Sequence, residues 1–259
     1  MKLQRIPADT GVYPNGQTIF HAGGERAILL LHGWTGWTGR LEILAGKLAD
    51  AGFTVRLPRL PGHGTNVEDF QSATWKDWLR KAVDEFIELR ARYPVVGVAG
   101  TSMGAILASL VAGQFGVERI ALMAPAFLTR NRLLFLAPLV KGFMPTMSGD
   151  WSPEDDPDPL AKGIGLEYKS RNYTSAVAEL YRIRQVGRAA LPRLRSETLV
   201  IASENDEAVP PQVASYIQNR AANANVQVLM LKKSGHQMVQ GVESETVCQA
   251  VVDWFAGLK

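Results

Sequence analysis

Gly100-Thr101-Ser102-Met103-Gly104 has the form G-x-S-x-G. It follows an apolar run, VVGVAG from Val95 to Gly100, and opens a helix-forming run from Met103 to Phe115. A serine at a sharp strand-to-helix turn projects its hydroxyl as a nucleophile. Gly100 and Gly104 remove the side chains that would collide with that tight backbone. The helix that follows aims its N-terminus at the serine. The plain alternative is a glycine-rich turn with a capping serine. A nucleotide site fits poorly, because GVAGTSMG has neither G-x-G-x-x-G spacing nor G-K-[ST].

A serine hydroxyl is a weak nucleophile alone. It needs a base within hydrogen-bond reach and a group that orients the base. The chain has four histidines. His21 falls in an expected hairpin near the N-terminus. His32 and His63 fall in glycine-containing turns at strand ends, before Ser102, and are read as structural. His236, in KKSGHQM, follows the last expected strand. The order Ser…Asp/Glu…His selects His236 as the base. The acid should lie between the two, and IASENDEAVPP offers Glu204, Asp206 and Glu207. Asp206, three residues past the strand end, has a short side chain suited to rigid support of an imidazole. These groups would perform acyl transfer. His236 takes the Ser102 proton during attack and returns it to the leaving group, and water then releases the acyl-enzyme.

Residues so far apart in sequence need a scaffold. Short apolar runs at Ala27–Gly33, Val95–Gly100, Arg119–Ala126, Glu197–Ser203 and Val226–Leu231 read as buried strands, as does the run starting at Phe53. Helix-type segments lie between them, at Gly39–Ala51, Thr74–Tyr93, Met103–Phe115, Pro211–Ala222 and Glu243–Leu258. Within Thr74–Arg90, Trp75, Trp78, Leu79, Ala82, Val83, Phe86 and Leu89 share one face at i, i+3, i+4 spacing. The alternation predicts an α/β fold with a mostly parallel sheet and helices on both faces. Residues 127–194 break it, with no convincing strand. They read as an insertion, dividing a core of 1–126 and 195–259. The insertion opens on AFLTRNRLLFLAPLVKGFMP, whose large apolar residues from Phe127 to Phe143 are candidates to line an acyl pocket, and the acids of PEDDPDP within it read as solvated.

Composition narrows the classes of function. The 28 basic and 25 acidic residues leave a net charge of +3 and form no Lys/Arg block, so nucleic acid is not an expected partner. The one cysteine, Cys248, excludes an intrachain disulfide and suits a reducing compartment. MKLQRIPADTG has no apolar core of a signal peptide, and no apolar run is long enough to span a membrane. A cytoplasmic protein without stable membrane insertion is expected. No metal-ligand cluster is visible, and the serine chemistry requires no cofactor. The sequence does not decide the oligomeric state.

The ordered set LLLHGWTG, RLPGHG, GTSMG, SENDEAVP and SGHQM resembles the α/β-hydrolase superfamily. Within it, the chain looks most like bacterial carboxylesterases and monoacylglycerol lipases. The resemblance covers nearly the whole chain outside the insertion. It implies an eight-stranded, mostly parallel sheet with an inserted cap, and a triad of Ser102, Asp206 and His236. It also implies an oxyanion hole made by the backbone N–H groups of Trp34 and Met103, with His32 and Gly33 shaping the turn. The second copy of the local repeat, Trp37-Thr38-Gly39, reads as packing. The implied substrate is a small ester with an apolar, short to medium acyl group. A thioesterase, an aminopeptidase, a carbon–carbon bond hydrolase and a non-catalytic binding member of the fold are alternatives, because one triad serves many leaving groups.

Overall fold

The computed structural model describes residues 6–148 and 159–259. The acids Glu154, Asp155, Asp156 and Asp158 of the insertion lie outside the described residues.

The chain alternates between strand and helix as the apolar spacing requires. In order come β1 (Ile19–His21), β2 (Arg26–Leu31), α1 (Glu42–Asp50), β3 (Thr54–Leu57), α2 (Val67–Ser72), α3 (Trp75–Arg92), β4 (Val95–Thr101), α4 (Met103–Phe115) and β5 (Arg119–Met123). Then follow α5 (Ala137–Val140), β6 (Thr146–Ser148), α6 (Pro159–Tyr168), β7 (Arg171–Tyr173) and α7 (Thr174–Ala190). β8 (Glu197–Ser203), α8 (Val213–Arg220), β9 (Val226–Leu231) and α9 (Ser244–Ala256) complete the order.

The main sheet runs β1-β3-β2-β4-β5-β8-β9. Every pairing in it is parallel except β1 with β3. Successive side chains of a strand point to opposite faces, and β2 shows the result. Ala27, Leu29 and Leu31 belong to the core cluster that also holds Trp78 and Phe86 of α3 and residues of α4 and α8. Ile28 and Leu30 pack with Leu44 and Leu48 of α1 and with Val247 and Phe255 of α9. Both faces are therefore covered, which explains why the strands read as continuous apolar runs.

Several expectations need correction. The main sheet has seven strands, not eight, among the described residues. Residues 6–18, ahead of β1, carry Pro7, Gly11, Pro14 and Gly16 and make a turn closed by Thr10 N–H on the Pro7 carbonyl and a second at Pro14–Gly16 instead of a strand. His21 does not sit in a hairpin, because β1 pairs antiparallel with β3 at the sheet edge. β5 stops at Met123 rather than Ala126, since Ala124 takes a left-handed φ of 43° and Pro125 follows. The insertion does contain strands: β6 and β7 pair antiparallel, three residues each, too short for an alternating pattern to reveal.

α7 crosses α4 closely. A side chain at Gly187 would come within 2.4 Å of Ile106 Cγ2, so this glycine permits the approach of the two helices. Phe127, at the start of the 127–194 segment, is fully buried beside it.

Candidate active site

Ser102 stands between β4 and α4 with φ 55° and ψ −114°, a region that side chains rarely adopt. Three backbone bonds hold it there. Its N–H donates to the Met123 carbonyl at 2.8 Å, and its carbonyl accepts from Ala105 and Ala126, each at 3.2 Å. The glycines on either side are sterically required. A Cβ on Gly100 would lie 2.2 Å from the Gly104 oxygen, and one on Gly104 would lie 2.0 Å from the Leu31 oxygen.

His236 Nε2 lies 3.0 Å from Ser102 Oγ. On the other side of the ring, His236 Nδ1 lies 2.9 and 3.1 Å from the two carboxylate oxygens of Asp206. Asp206 is buried, and its Oδ1 also accepts from the N–H groups of Ala208 and Val209, each at 2.8 Å. A carboxylate fixed by backbone donors cannot swing, so the ring it holds cannot swing either. The three residues singled out in the sequence thus form one chain of hydrogen bonds.

Both supporting loops are tied down. The Ser203 hydroxyl at the end of β8 donates to the Ser234 carbonyl. Glu243 accepts from the N–H groups of Lys232, Lys233 and Ser234 and from the Ser234 hydroxyl. Desolvation pushes its carboxyl up, but those donors outweigh it and hold the group at about 2. Glu207 Oε2 accepts the backbone N–H of His236 at 2.9 Å. Arg130 Nε donates to the Asp206 carbonyl at 2.8 Å, joining the segment after β5 to the acid loop. Glu207 was in view in the sequence only as another possible acid. The parts of Arg130 and Glu243 carry no local signature, because each depends on a partner far along the chain.

The turn after β2 faces the serine. Gly33 is buried against it, and a Cβ there would stand 3.1 Å from Ser102 Cβ. Trp34 N–H follows directly, and Met103 N–H is the first of α4, where no intrahelical acceptor exists. Thr35 takes a left-handed φ of 54°, which turns the chain away after Trp34. His32 braces this turn. Its Nε2 accepts from Leu60 N–H at 3.1 Å, so the proton is on Nδ1, which donates to the Gly33 carbonyl at 3.0 Å. His63 stacks edge-on to His32 with ring centroids 5.0 Å apart. Burial pulls the His32 imidazole down to about 4, and burial together with the neighbouring His32 pulls His63 well below the usual histidine range. Both are neutral structural groups, and neither reaches Ser102 by a hydrogen bond. Trp37 packs in a separate cluster with Phe70 and Tyr168, under the guanidinium of Arg40 at 4.0 Å.

Ser102 and His236 open onto a cavity of about 600 Å³. Its apolar walls include Trp34, Leu128, Leu134, Val177, Leu180 and Val209. Of the apolar run at the start of the 127–194 segment, Leu128 and Leu134 reach the cavity, while Phe127 is in the core and Phe135, Leu139 and Phe143 face solvent. The sequence missed the contribution of α7, which supplies Val177 and Leu180 at i, i+3 spacing. Tyr168 was missed too. Its ring stacks on Phe70 at 4.4 Å, and its hydroxyl accepts from Gly64 N–H at 2.8 Å.

Among the described residues, no group of three His, Cys, Asp or Glu side chains is placed to hold a metal ion. Among the same residues, no helix is long and apolar enough to cross a membrane.

Known proteins resemble this chain over nearly its whole length. The chain is 28% identical over 247 residues to the thermostable monoacylglycerol lipase of Bacillus sp. (strain H-257), covering 94% of this chain and 97% of that one. It is 25% identical over 238 residues to a carboxylesterase of Bacillus subtilis (strain 168), covering 91% and 94%. A solved structure of the metagenome-derived lipolytic enzymes LipS and LipT superposes with a TM-score of 0.85 at 26% identity, covering 95% of this chain and 99% of that one. The model of the alpha/beta hydrolase family matches residues 28–250, and the chain belongs to that family.

Proposed function

We propose that this chain is a carboxylic ester hydrolase in which Ser102 is the nucleophile, His236 the general base and acid, and Asp206 the residue that orients His236. The unbroken run of hydrogen bonds from Asp206 through His236 to Ser102, at the mouth of a walled cavity, carries this reading. The names of the two Bacillus relatives favour an ester over other acyl compounds.

The ester carbonyl sits over Ser102 Oγ. As Oγ attacks, its proton moves to Nε2 of His236, and the imidazolium is stabilised by the Asp206 carboxylate at Nδ1. The oxyanion is received by the backbone N–H groups of Trp34 and Met103. Neither donor must move when the charge forms, so the stabilisation costs no reorganisation in the transition state. His236 then protonates the leaving alcohol, and water repeats the cycle on the acyl-enzyme. Every group in the sequence belongs to the protein, so no cofactor is needed.

Residues 127–194 serve as a cap over a core made of 1–126 and 195–259. The cap contributes Leu134, Val177 and Leu180 to the cavity. Those walls and a volume of about 600 Å³ suit a short to medium acyl chain.

Labelling with a fluorophosphonate tests the nucleophile. An adduct on Ser102, lost in Ser102→Ala, is expected, and a folded protein without an adduct overturns the reading. Initial rates on p-nitrophenyl esters of rising chain length, beside monoacylglycerols, aminoacyl amides and acyl thioesters, test the substrate class. A higher kcat/KM for amides or thioesters than for every ester overturns ester hydrolysis.

A further inference from the structure

The cavity over Ser102 has charged groups set among its apolar walls. Arg40, Lys169, Arg184 and Glu207 line it. Glu207 is already engaged, accepting the His236 N–H.

Arg184 is the unusual member. It is 8% exposed, and its Nε is buried without a hydrogen-bond partner. No carboxylate pairs with it among the described residues. Its guanidinium carbon stands 5.6 Å from the centre of the Tyr181 ring. One turn along α7 is another cation, Arg188, which stands over Tyr216. Burial, and then Arg188, draw the Arg184 guanidinium below its ordinary pKa, though an arginine stays charged in a protein. A desolvated cation without an anion is costly to keep. The guanidinium fork has the shape to hold a carboxylate through two parallel hydrogen bonds.

Position gives the cation its use. Val177, Leu180 and Arg184 lie along one face of α7, and all three line the cavity. The seven-residue step from Val177 to Arg184 covers roughly 10 Å of helix at about 1.5 Å per residue. One wall is therefore aliphatic along its length and ends on a buried positive charge. A purely apolar acyl chain would leave that charge unmatched.

We propose that the substrate is an ester that also carries a carboxylate, as in a half-ester of an aliphatic dicarboxylic acid, and that Arg184 is the specificity-determining residue that receives it. The inference rests on the ester hydrolase reading above. Hydrolysis adds water across the ester C–O bond, releasing the alcohol and a dicarboxylate. The aliphatic spacer lies along Val177 and Leu180, and the free carboxylate meets the Arg184 guanidinium.

The test compares monomethyl esters of glutaric, adipic and suberic acids with the methyl esters of pentanoic, hexanoic and octanoic acids, matched in chain length. Wild-type protein should prefer the charged ester of at least one pair by about ten- to a hundredfold in kcat/KM, the scale of hydrogen bonds to a charged group. Arg184→Met should abolish the preference, raising KM for each charged ester by at least about tenfold more than for its neutral match, and Arg184→Lys should restore part of it. A wild-type preference for the neutral ester at every length overturns the proposal. So does an Arg184→Met variant that slows both classes equally. If Arg184→Met does not fold, the wild-type ratio and the Arg184→Lys variant decide. If wild-type protein cleaves neither class and Ser102 takes no fluorophosphonate, the ester hydrolase reading has failed. Calorimetry with suberate and octanoate then judges Arg184 alone: tighter binding of suberate supports it, and equal or weaker binding overturns it.

Discussion

Gly104 of α4 approaches the Leu31 carbonyl so closely that a Cβ at Gly104 would stand 2.0 Å from that oxygen. The contact seats the first turn of α4 against the end of β2, and therefore sets Ser102 opposite Gly33. Backbone on both sides leaves nothing flexible to give way.

Gly104→Ala should therefore force α4 and the β2 turn apart. Overpacking of this kind typically costs about 1–3 kcal/mol of stability. The fall in kcat should be larger than stability explains, because the N–H groups of Trp34 and Met103 separate; loss of one such donor costs about 3–4 kcal/mol in the transition state. Thermal unfolding and ester kinetics on the same preparation check this. An unchanged kcat in a stably folded Gly104→Ala protein would show that the spacing does not position the oxyanion donors.

Two neighbouring acids should separate cleanly. Asp206 holds the ring of His236, whereas Glu207 holds its backbone. Asp206→Asn keeps the shape but loses the charge and favours the wrong tautomer, and kcat should fall by about three to four orders of magnitude. Glu207→Gln retains an oxygen acceptor for the His236 N–H and should cost little. Glu207→Ala removes it and should lower kcat about tenfold with KM nearly constant. If Glu207→Gln were the more damaging of the two amide variants, the roles assigned to these acids would be reversed.

His32 and His63 link stability to pH. The folded protein holds His32 neutral down to about 4, while the unfolded chain protonates it near the ordinary histidine value of 6.5. The unfolded state therefore binds more protons between those values. The contribution of His32 is complete above pH 6.5 and is lost as the pH falls to about 4. The difference corresponds to about 3 kcal/mol at most. Denaturant unfolding at pH 7, 5.5 and 4.5 should show this loss, and His32→Gln, though less stable at pH 7, should show a shallower decline. A variant with the same slope as wild type would exclude His32 as a source.

The sequence made some features plain and hid others for physical reasons. Ser102 was legible because the nucleophile turn is local: strand, glycine, serine, glycine and helix fall within a few residues. Asp206 and His236 were legible through chain order and the strands that precede them. The sheet core was legible because strands buried on both faces are continuously apolar. The edge was not. The antiparallel β1 is three residues long, and its partner β3 is more than thirty residues away in sequence. The cavity face of α7 was hidden too, because it depends on the crossing over α4 at Gly187, which is a matter of packing. Arg184 could not be told from a solvated arginine until its burial was known.

The turn after β2 offers a test that separates backbone from side chain. Trp34 contributes its N–H to the proposed oxyanion hole and its ring to the cavity wall. Trp34→Ala removes only the ring, so kcat on the shortest ester should stay within about tenfold while KM rises for longer acyl chains, which lose apolar contact. Gly33→Ala leaves every N–H in place but brings a Cβ to 3.1 Å from Ser102 Cβ. The turn must then shift by a few tenths of an ångström, and the donor shifts with it. That change should lower kcat by more than Trp34→Ala does, on the order of a hundredfold if the N–H is effectively lost. Steady-state kinetics on a short and a long ester, with melting temperatures as a control for folding, give the comparison. The reverse order, a large kcat loss in Trp34→Ala and none in Gly33→Ala, would place the catalytic contribution in the indole ring and remove the backbone donor from the mechanism.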